Sequence, residues 1–427
     1  MEKIIDALKK RYKNFEVWLE DRKTITIEET EDGLREESHS KKELAVRVFK
    51  DGLVGFGYSS GVENLEILIE NVELSIKYSE KDDCNVLPEP DYEENIIHGI
   101  ERGFDFNGLY LKINEMKDTL KDKSYLKSIE RLSGSIENRK ISFFNSLKGF
   151  KYQNIQKYAL GVVVVVKKNG DEKIEWDFGI NDKLECLDSK TIADRAYNRA
   201  INLLNSSPTY TGEYTVLFEP RASCDFLEVF AQSFIAENVF KKRTLLTDNI
   251  FFSEKINLID NPKVSESSLS FFFDGEGFTG KSKLLVEKGM VKNFLYDSYY
   301  GKKMGKESTG NSIRAKVSAP PRNWFSTIVL ENGQDDIRNY IKGRKIINIV
   351  SLIGMHLVNP VTGDFSVGFE GFLLDDGNYV KALSGVSIAG NLKDFYKNVI
   401  AIGKDFCVYG QTGSPTILVD GIVVSGI

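Results

Sequence analysis

The sequence predicts an α+β fold: an N-terminal α/β unit of hairpins flanked by helices, then a strand-rich, mostly antiparallel C-terminal domain around one buried helix. Three observations predict it. Runs that alternate apolar and polar residues in period two dominate beyond residue 211. The hairpin dipeptides Asp32-Gly33, Asp51-Gly52 and Asn169-Gly170 punctuate the first half. Helical periodicity is confined to a few segments, one of which carries a broad apolar face.

The elements follow in order. Ile4, Ile5, Leu8 and Tyr12 recur at helical spacing over residues 2–12. The runs "FEVWLEDRKTITIEE", "GLREES" and "LAVRVFKDGLVGFGYS" alternate as strands around the first two turns. "ENLEILIENVELSIKYS" returns to the helical period through Leu65, Ile67, Leu68, Val72 and Ile76, closing a first unit over 1–78. The acidic stretch 79–95, with Pro88 and Pro90, reads as a linker or crossing segment and opens a middle α+β region over 79–210. There "GLYLKINEMKDTLKD" is helical, "KISFFNS" and "ALGVVVVVKKNGDEKIEWDFG" are strands, and "SKTIADRAYNRAINLLNS" is a helix capped by Ser189 with a stripe of Ile192, Ala196, Ala200, Ile201 and Leu204. The third unit, 211–427, is rich in strands, with one helix expected over 222–242. That helix places Phe226, Phe230 and Phe234 on one row and Leu227, Ala231 and Ile235 on the next. A final hairpin is expected to turn at Asp420-Gly421.

Composition narrows the function. At 427 residues and 41% hydrophobic content the chain can bury more than one core. Lys+Arg number 57 against 63 Asp+Glu, interspersed, so the net charge of −6 argues against direct nucleic-acid binding. No apolar run is long enough to span a membrane, and the amphipathic opening Met-Glu-Lys-Ile-Ile-Asp does not read as a signal peptide, which points to the cytoplasm. Cys84, Cys186, Cys224 and Cys407 are scattered and form no C-x-x-C pair. A zinc hydrolase needs two or three closely spaced imidazole, thiolate or carboxylate ligands. The three histidines, His39, His98 and His356, lie far apart, and no H-E-x-x-H occurs.

Three polar segments attract attention. In "FDGEGFTG", Asp274 and Glu276 stand between glycines, either as a plain turn or as carboxylates for the N–H groups of a peptide approaching the glycine backbone. It lacks the order of a phosphate loop. "ESTGNSIRAKVSAPPRNWF" is a long polar loop in which Asn311 and Arg314 are the groups to watch. "HLVNPVTGDFSVGFEGF" crowds His356, Asn359, Thr362 and Asp364 into a tight turn before a strand.

Taken in order, "FDGEGFTG", "STGNSIR" with the following Pro-Pro-Arg-Asn, "VNPVTGDFSVGFEGF", "SIAGNLKDFYKNVIAIGKD" and "SPTILVDGIVVSG" resemble the TldD/PmbA family, historically called modulators of DNA gyrase. The resemblance implies a peptide-binding cleft beside the 356–372 stretch. It also implies two kinds of subunit: TldD-type chains with a zinc-binding H-E-x-x-x-H on the buried helix and a cysteine near the C-terminus, and TldE/PmbA-type chains without them. Here the three motif positions fall near Val229, Phe230 and Phe234, and Cys407 lacks the surrounding pattern. The chain therefore resembles the TldE/PmbA type. By that resemblance it carries no catalytic residue, metal or cofactor of its own, and zinc belongs to a TldD-like partner. The two would form a heterodimeric cytoplasmic metalloprotease acting on extended peptides. Alternatives are a homodimeric regulatory or binding protein, and an independent hydrolase using Asp274, Glu276 and Asp364.

Overall fold

A computed structural model describes residues 1–61, 65–91, 97–99, 103–246 and 251–427. The N-terminal half rests on one largely antiparallel sheet of β1 (Asn14–Thr30), β2 (Gly33–Lys50), β3 (Leu53–Ser60), β4 (Ile97–His98), β5 (Leu126–Asn145), β6 (Gly149–Lys168) and β7 (Asp171–Asn181). Its order is β3-β2-β1-β5-β6, with β4 and β7 both against β6. The turns fall where the dipeptides put them. Lys50 pairs with Leu53 and Lys168 with Asp171, around Asp51-Gly52 and Asn169-Gly170, all four of which have positive φ. A two-residue turn of this hand requires that conformation at both positions, which Asp, Asn and Gly reach at least cost.

The helices α1 (Glu2–Lys9), α2 (Leu65–Tyr78), α3 (Phe106–Leu120) and α4 (Ser189–Asn202) cover the sheet in pairs. Ile4, Leu8, Leu68 and Val72 of the first pair bury against Val17, Val46 and Val48. Leu109, Ile113, Ala193 and Ala196 of the second pair bury against Leu160, Val162 and Val164. Segments 1–78 and 79–210, read from the sequence as two units, thus have separate cores but share one sheet, because β1 pairs with β5 from Glu16–Asn145 to Glu29–Leu132. The connecting segment crosses the fold: Leu87 is buried, and Asn145 Nδ2 donates to the Pro88 carbonyl at 2.9 Å. Residues 92–95 of that segment lie outside the described residues. At the sheet edge, the Val54 and Phe56 N–H groups donate to the hydroxyls of Ser79 and Ser75, so the edge is closed by its own helix.

In the C-terminal half, β8 (Gly212–Phe218) and the strands Lys345–Ile353, Asp364–Asp375, Asn378–Asn391 and Ile417–Ser425 close into a five-stranded barrel. All neighbours are antiparallel except β8 with Lys345–Ile353. A ring with an odd number of strands cannot alternate throughout. A second sheet of six short strands lies beside the barrel, and α5 (Pro220–Ala231) packs its apolar face into the core the two share.

Two expectations are corrected. The helix expected over 222–242 stops at Ala231, passes through a 3-10 turn at Gln232–Phe234, and resumes only at Ala236–Phe240. The cause is tertiary: Ile235 is extended, Ala236 donates to the Leu295 carbonyl, and Leu295 donates to that of Phe234, a backbone bridge that pulls the chain off the helix. Asp420-Gly421 does not reverse the chain either. It forms a bulge within the strand Ile417–Ser425, where the register against β8 shifts between Val419 and Ile422. The bulge lets one strand pair with Val399–Ile402 at one end and with Asn378–Asn391 at the other, closing the barrel.

Candidate functional site

On α5 and the 3-10 turn that follows it, the positions that the resemblance implies for metal ligands are packed with rings. Phe230 stacks on Tyr396 with centroids 4.1 Å apart and meets Phe234 and Phe252 edge-on at 5.4 and 5.1 Å. Phe230 and Phe234 are fully buried, and Val229 is partly buried against the same core. Nearly two turns before Phe230, Cys224 turns its thiol toward the Thr412 carbonyl at 3.4 Å, and burial pushes its pKa up to about 12.

The polar motifs divide into two places. Asp274, Glu276 and Arg314 join Glu16 of β1, Arg47 of β2 and Asp297 in a buried cluster where the N-terminal sheet meets the C-terminal half. Arg47 bridges the halves, donating to Glu16 Oε1 at 2.7 Å and to Glu276 Oε1 at 3.1 Å. Asp274 accepts backbone N–H bonds from Glu276, Phe278 and Ser312, each at 2.9 Å. Arg314 donates to the Ala319 carbonyl and lies 5.0 Å over the Trp18 ring. Asn311 is buried nearby, bound to Asp260 and Lys283. Four carboxyls face two guanidinium groups. Burial, then the neighbouring Glu276, pushes Asp274 up to about 7 and Asp297 up to about 8, and burial also raises Glu16. Asp274, Glu276, Asn311 and Arg314 are therefore interior groups of this chain. They are engaged with its own backbone and side chains, and Glu276, with Arg47 and Asp297, also lines a cleft of about 300 Å³.

His356, Asn359, Thr362 and Asp364 are exposed, on the turn leading into the strand Asp364–Asp375. Asn359 Oδ1 accepts from the N–H groups of Val361 and Thr362, and Asn391 Nδ2 donates to Asp364 Oδ1 at 2.8 Å. Among the described residues no hydrogen bond joins this turn to Asp274 or Glu276, which are buried whereas Asp364 is exposed.

A cleft of about 960 Å³ lies elsewhere, between α4 and the C-terminal half. Arg195 and Arg199, one turn apart on α4, both donate to Asp177 Oδ2 of β7. Arg199 also reaches the Trp176 carbonyl at 3.0 Å and the Tyr409 hydroxyl at 3.3 Å. Arg221, at the start of α5, donates to Glu175 at 3.2 Å and stacks 3.8 Å over Trp176. Cys407 sits at the edge of this cleft, its thiol raised by burial. Reading for apolar stripes missed the place. The legible signals were the i, i+4 arginine pair and the carboxylate inside "EWDFG".

Residues 211–426 match the model of the PmbA/TldA metallopeptidase C-terminal domain. The chain belongs to this family. A metalloprotease PmbA homolog from Buchnera aphidicola (subspecies Baizongia pistaciae) is 27% identical over 342 residues, covering 79% of this chain and 72% of that protein. A zinc metalloprotease TldD homolog from Saccharolobus solfataricus is 26% identical over 295 residues, 62% of this chain and 64% of the relative. The crystal structure of TldE from Thermococcus kodakarensis has the same fold, with a TM-score of 0.88 at 23% identity over 100% of both chains.

Within a metallopeptidase family the fit of zinc to this helix can be tested by its donors. Val229, Phe230 and Phe234 offer none. Moving the register by one or two residues reaches Glu228, which is exposed, and Gln232, but no imidazole. Among the described residues no group of three or more His, Cys, Asp or Glu side chains is placed to hold a metal ion. The residues on α5 do not fit zinc. Stoichiometric zinc added to the purified chain is expected to leave its melting temperature unchanged in differential scanning fluorimetry. A tightly bound ion would raise it by mass action.

Proposed function

We propose that this chain is a noncatalytic TldE/PmbA-like subunit that pairs in the cytoplasm with a TldD-like zinc subunit, forming a metalloprotease that takes unfolded or extended peptides. The observation that carries the reading is the stack of Phe230 on Tyr396, with Phe234 and Phe252 around it, where the resemblance implies zinc ligands. A packed aromatic core can neither bind a metal nor polarise water. Family membership supports a role in proteolysis, and the lack of metal donors at those positions is the reason for giving the catalytic half of it to a partner. This chain would contribute surface to the substrate: the exposed turn bearing His356, Asn359, Thr362 and Asp364, and the cleft beside α4.

The test is reconstitution. The chain is purified alone and together with an H-E-x-x-x-H-bearing chain of the same genome, then followed by size-exclusion chromatography and by cleavage of an unfolded protein. A mixed complex with chelator-sensitive cleavage, and an inert chain alone, is the expected result. A stable homodimer that ignores the second chain would favour the regulatory reading instead.

A further inference from the structure

The cleft beside α4 contains donors and acceptors in unequal states of engagement. The carboxylates that line it, and Asp177 behind the two arginines, each accept at least one hydrogen bond. Asp177 Oδ2 takes both arginines while Oδ1 takes the Phe178 N–H. Asp405 is held by the backbone and hydroxyl of Thr416, and Glu219 by Asn348 Nδ2 at 2.9 Å. Asp335 binds Lys255 and the Ile402 N–H, and Asp336 binds Arg338. The donors are less used. Arg195 gives its Nε to Asp177, and among the described residues its Nη1 meets only the thiol of Cys407, at 3.9 Å, while its side chain, in the cleft lining, remains 35% exposed. A guanidinium carries five N–H donors in a planar fork. Arg195 therefore presents the outer edge of that fork to the cavity, and Arg199 behind it holds a second positive charge against the same single carboxylate. Leu217, Val350, Phe372 and Pro220 supply apolar wall, and the volume is that of a pocket for a small molecule or a few residues of chain.

We infer that this cleft binds a carboxylate carried on an apolar stem, the C-terminal carboxylate of an extended peptide, with Arg195 as the group that pairs with it. The inference rests on the peptide-handling role proposed above and adds to it a site and an end of the chain. A planar carboxylate matches the free edge of a guanidinium in two parallel hydrogen bonds, which a terminal amide cannot reproduce. The aliphatic and aromatic wall then receives the last side chain.

The test uses the full-length chain and one fluorescein-labelled peptide, Gly-Ser-Gly-Ala-Val-Leu, made as the free acid and as the C-terminal amide, followed by anisotropy. The free acid is expected to bind at least about tenfold more tightly than the amide, a difference of about 1.4 kcal/mol. The preference should shrink as salt is added. Arg195→Gln should remove it and leave the amide's affinity unchanged, whereas Arg338→Gln at the rim should not. Because the acid–amide comparison is made on the unmodified protein, it stands even if the Arg195 variant folds poorly. Equal binding of both peptides would overturn the carboxylate site while leaving the peptide-handling role intact. Binding of neither would overturn both.

Discussion

Phe230→Ala is expected to cost about 3–5 kcal/mol of stability, the range for emptying a large aromatic site in a packed core. Three rings lose their partner at once, since Phe230 stacks on Tyr396 and meets Phe234 and Phe252 edge-on. Around it, α5, the barrel and the second sheet are held by their own backbone bonds, so the cavity cannot close easily. Guanidinium chloride unfolding reads the effect as a lowered midpoint at unchanged slope. Phe230→Leu, which keeps much of the volume, should cost clearly less. If both variants melt with the parent, the stack does not support the core. Rebuilding ligands should fail as well. Val229→His with Phe230→Glu and Phe234→His puts polar groups into apolar packing without an orienting shell. The expected product is destabilised and shows no zinc-dependent peptidase activity. Appreciable cleavage by that triple variant alone would mean that the rest of a catalytic apparatus is intact, against the proposed role.

Arg47→Met should be of similar size, about 3–5 kcal/mol, because it strips the bridging cation from Glu16 and Glu276 and leaves buried carboxylates uncompensated. Its cost should grow with pH. In the parent, Asp274 and Asp297 titrate near 7 and 8, well above their unfolded range near 4, held up by burial and then by Glu276. Between roughly pH 4 and pH 8 the folded chain therefore binds more protons than the unfolded chain, so stability contributed by these groups falls as pH rises and is fully lost above about 8. Unfolding midpoints measured from pH 6 to pH 8.5 should decline. Asp297→Asn should flatten that decline, because it keeps the side-chain oxygen that accepts the Tyr300 N–H at 2.8 Å while removing the charge. A midpoint that rises over the same range would show that these carboxyls are ionised in the folded state at neutral pH.

The two effects differ in how far the sequence foretold them. The rings at 226, 230 and 234 declare themselves by spacing alone, since residues four apart share a helix face and three phenylalanines on one face must be buried. The hairpins at Asp51-Gly52 and Asn169-Gly170 are equally local, because positive φ at two successive residues is a demand that few residue pairs meet. The ordered motifs from "FDGEGFTG" to "SPTILVDGIVVSG" identified the family for the same kind of reason: they are contiguous strings.

What the tertiary structure decided depends on partners far away in the chain. Asp274 and Glu276 read as a polar turn open to a peptide, but Glu276 is buried because Arg47, 229 residues away, reaches it across the boundary between the halves. Ile235 reads as helix, yet Leu295 draws its neighbours into a bridge, and a local propensity of a few tenths of a kcal/mol per residue yields to such bonds. Asp420-Gly421 reads as a turn and acts as a bulge, since closing the barrel requires that strand to bend while staying paired. The cleft of Arg195 and Arg199 exists only once α4 has docked beside the C-terminal half. Periodicity and turn chemistry are properties of neighbours in sequence, so most elements and the family could be read along the chain. Burial of charge, strand closure and cavities are properties of neighbours in space, and only the folded chain could decide those.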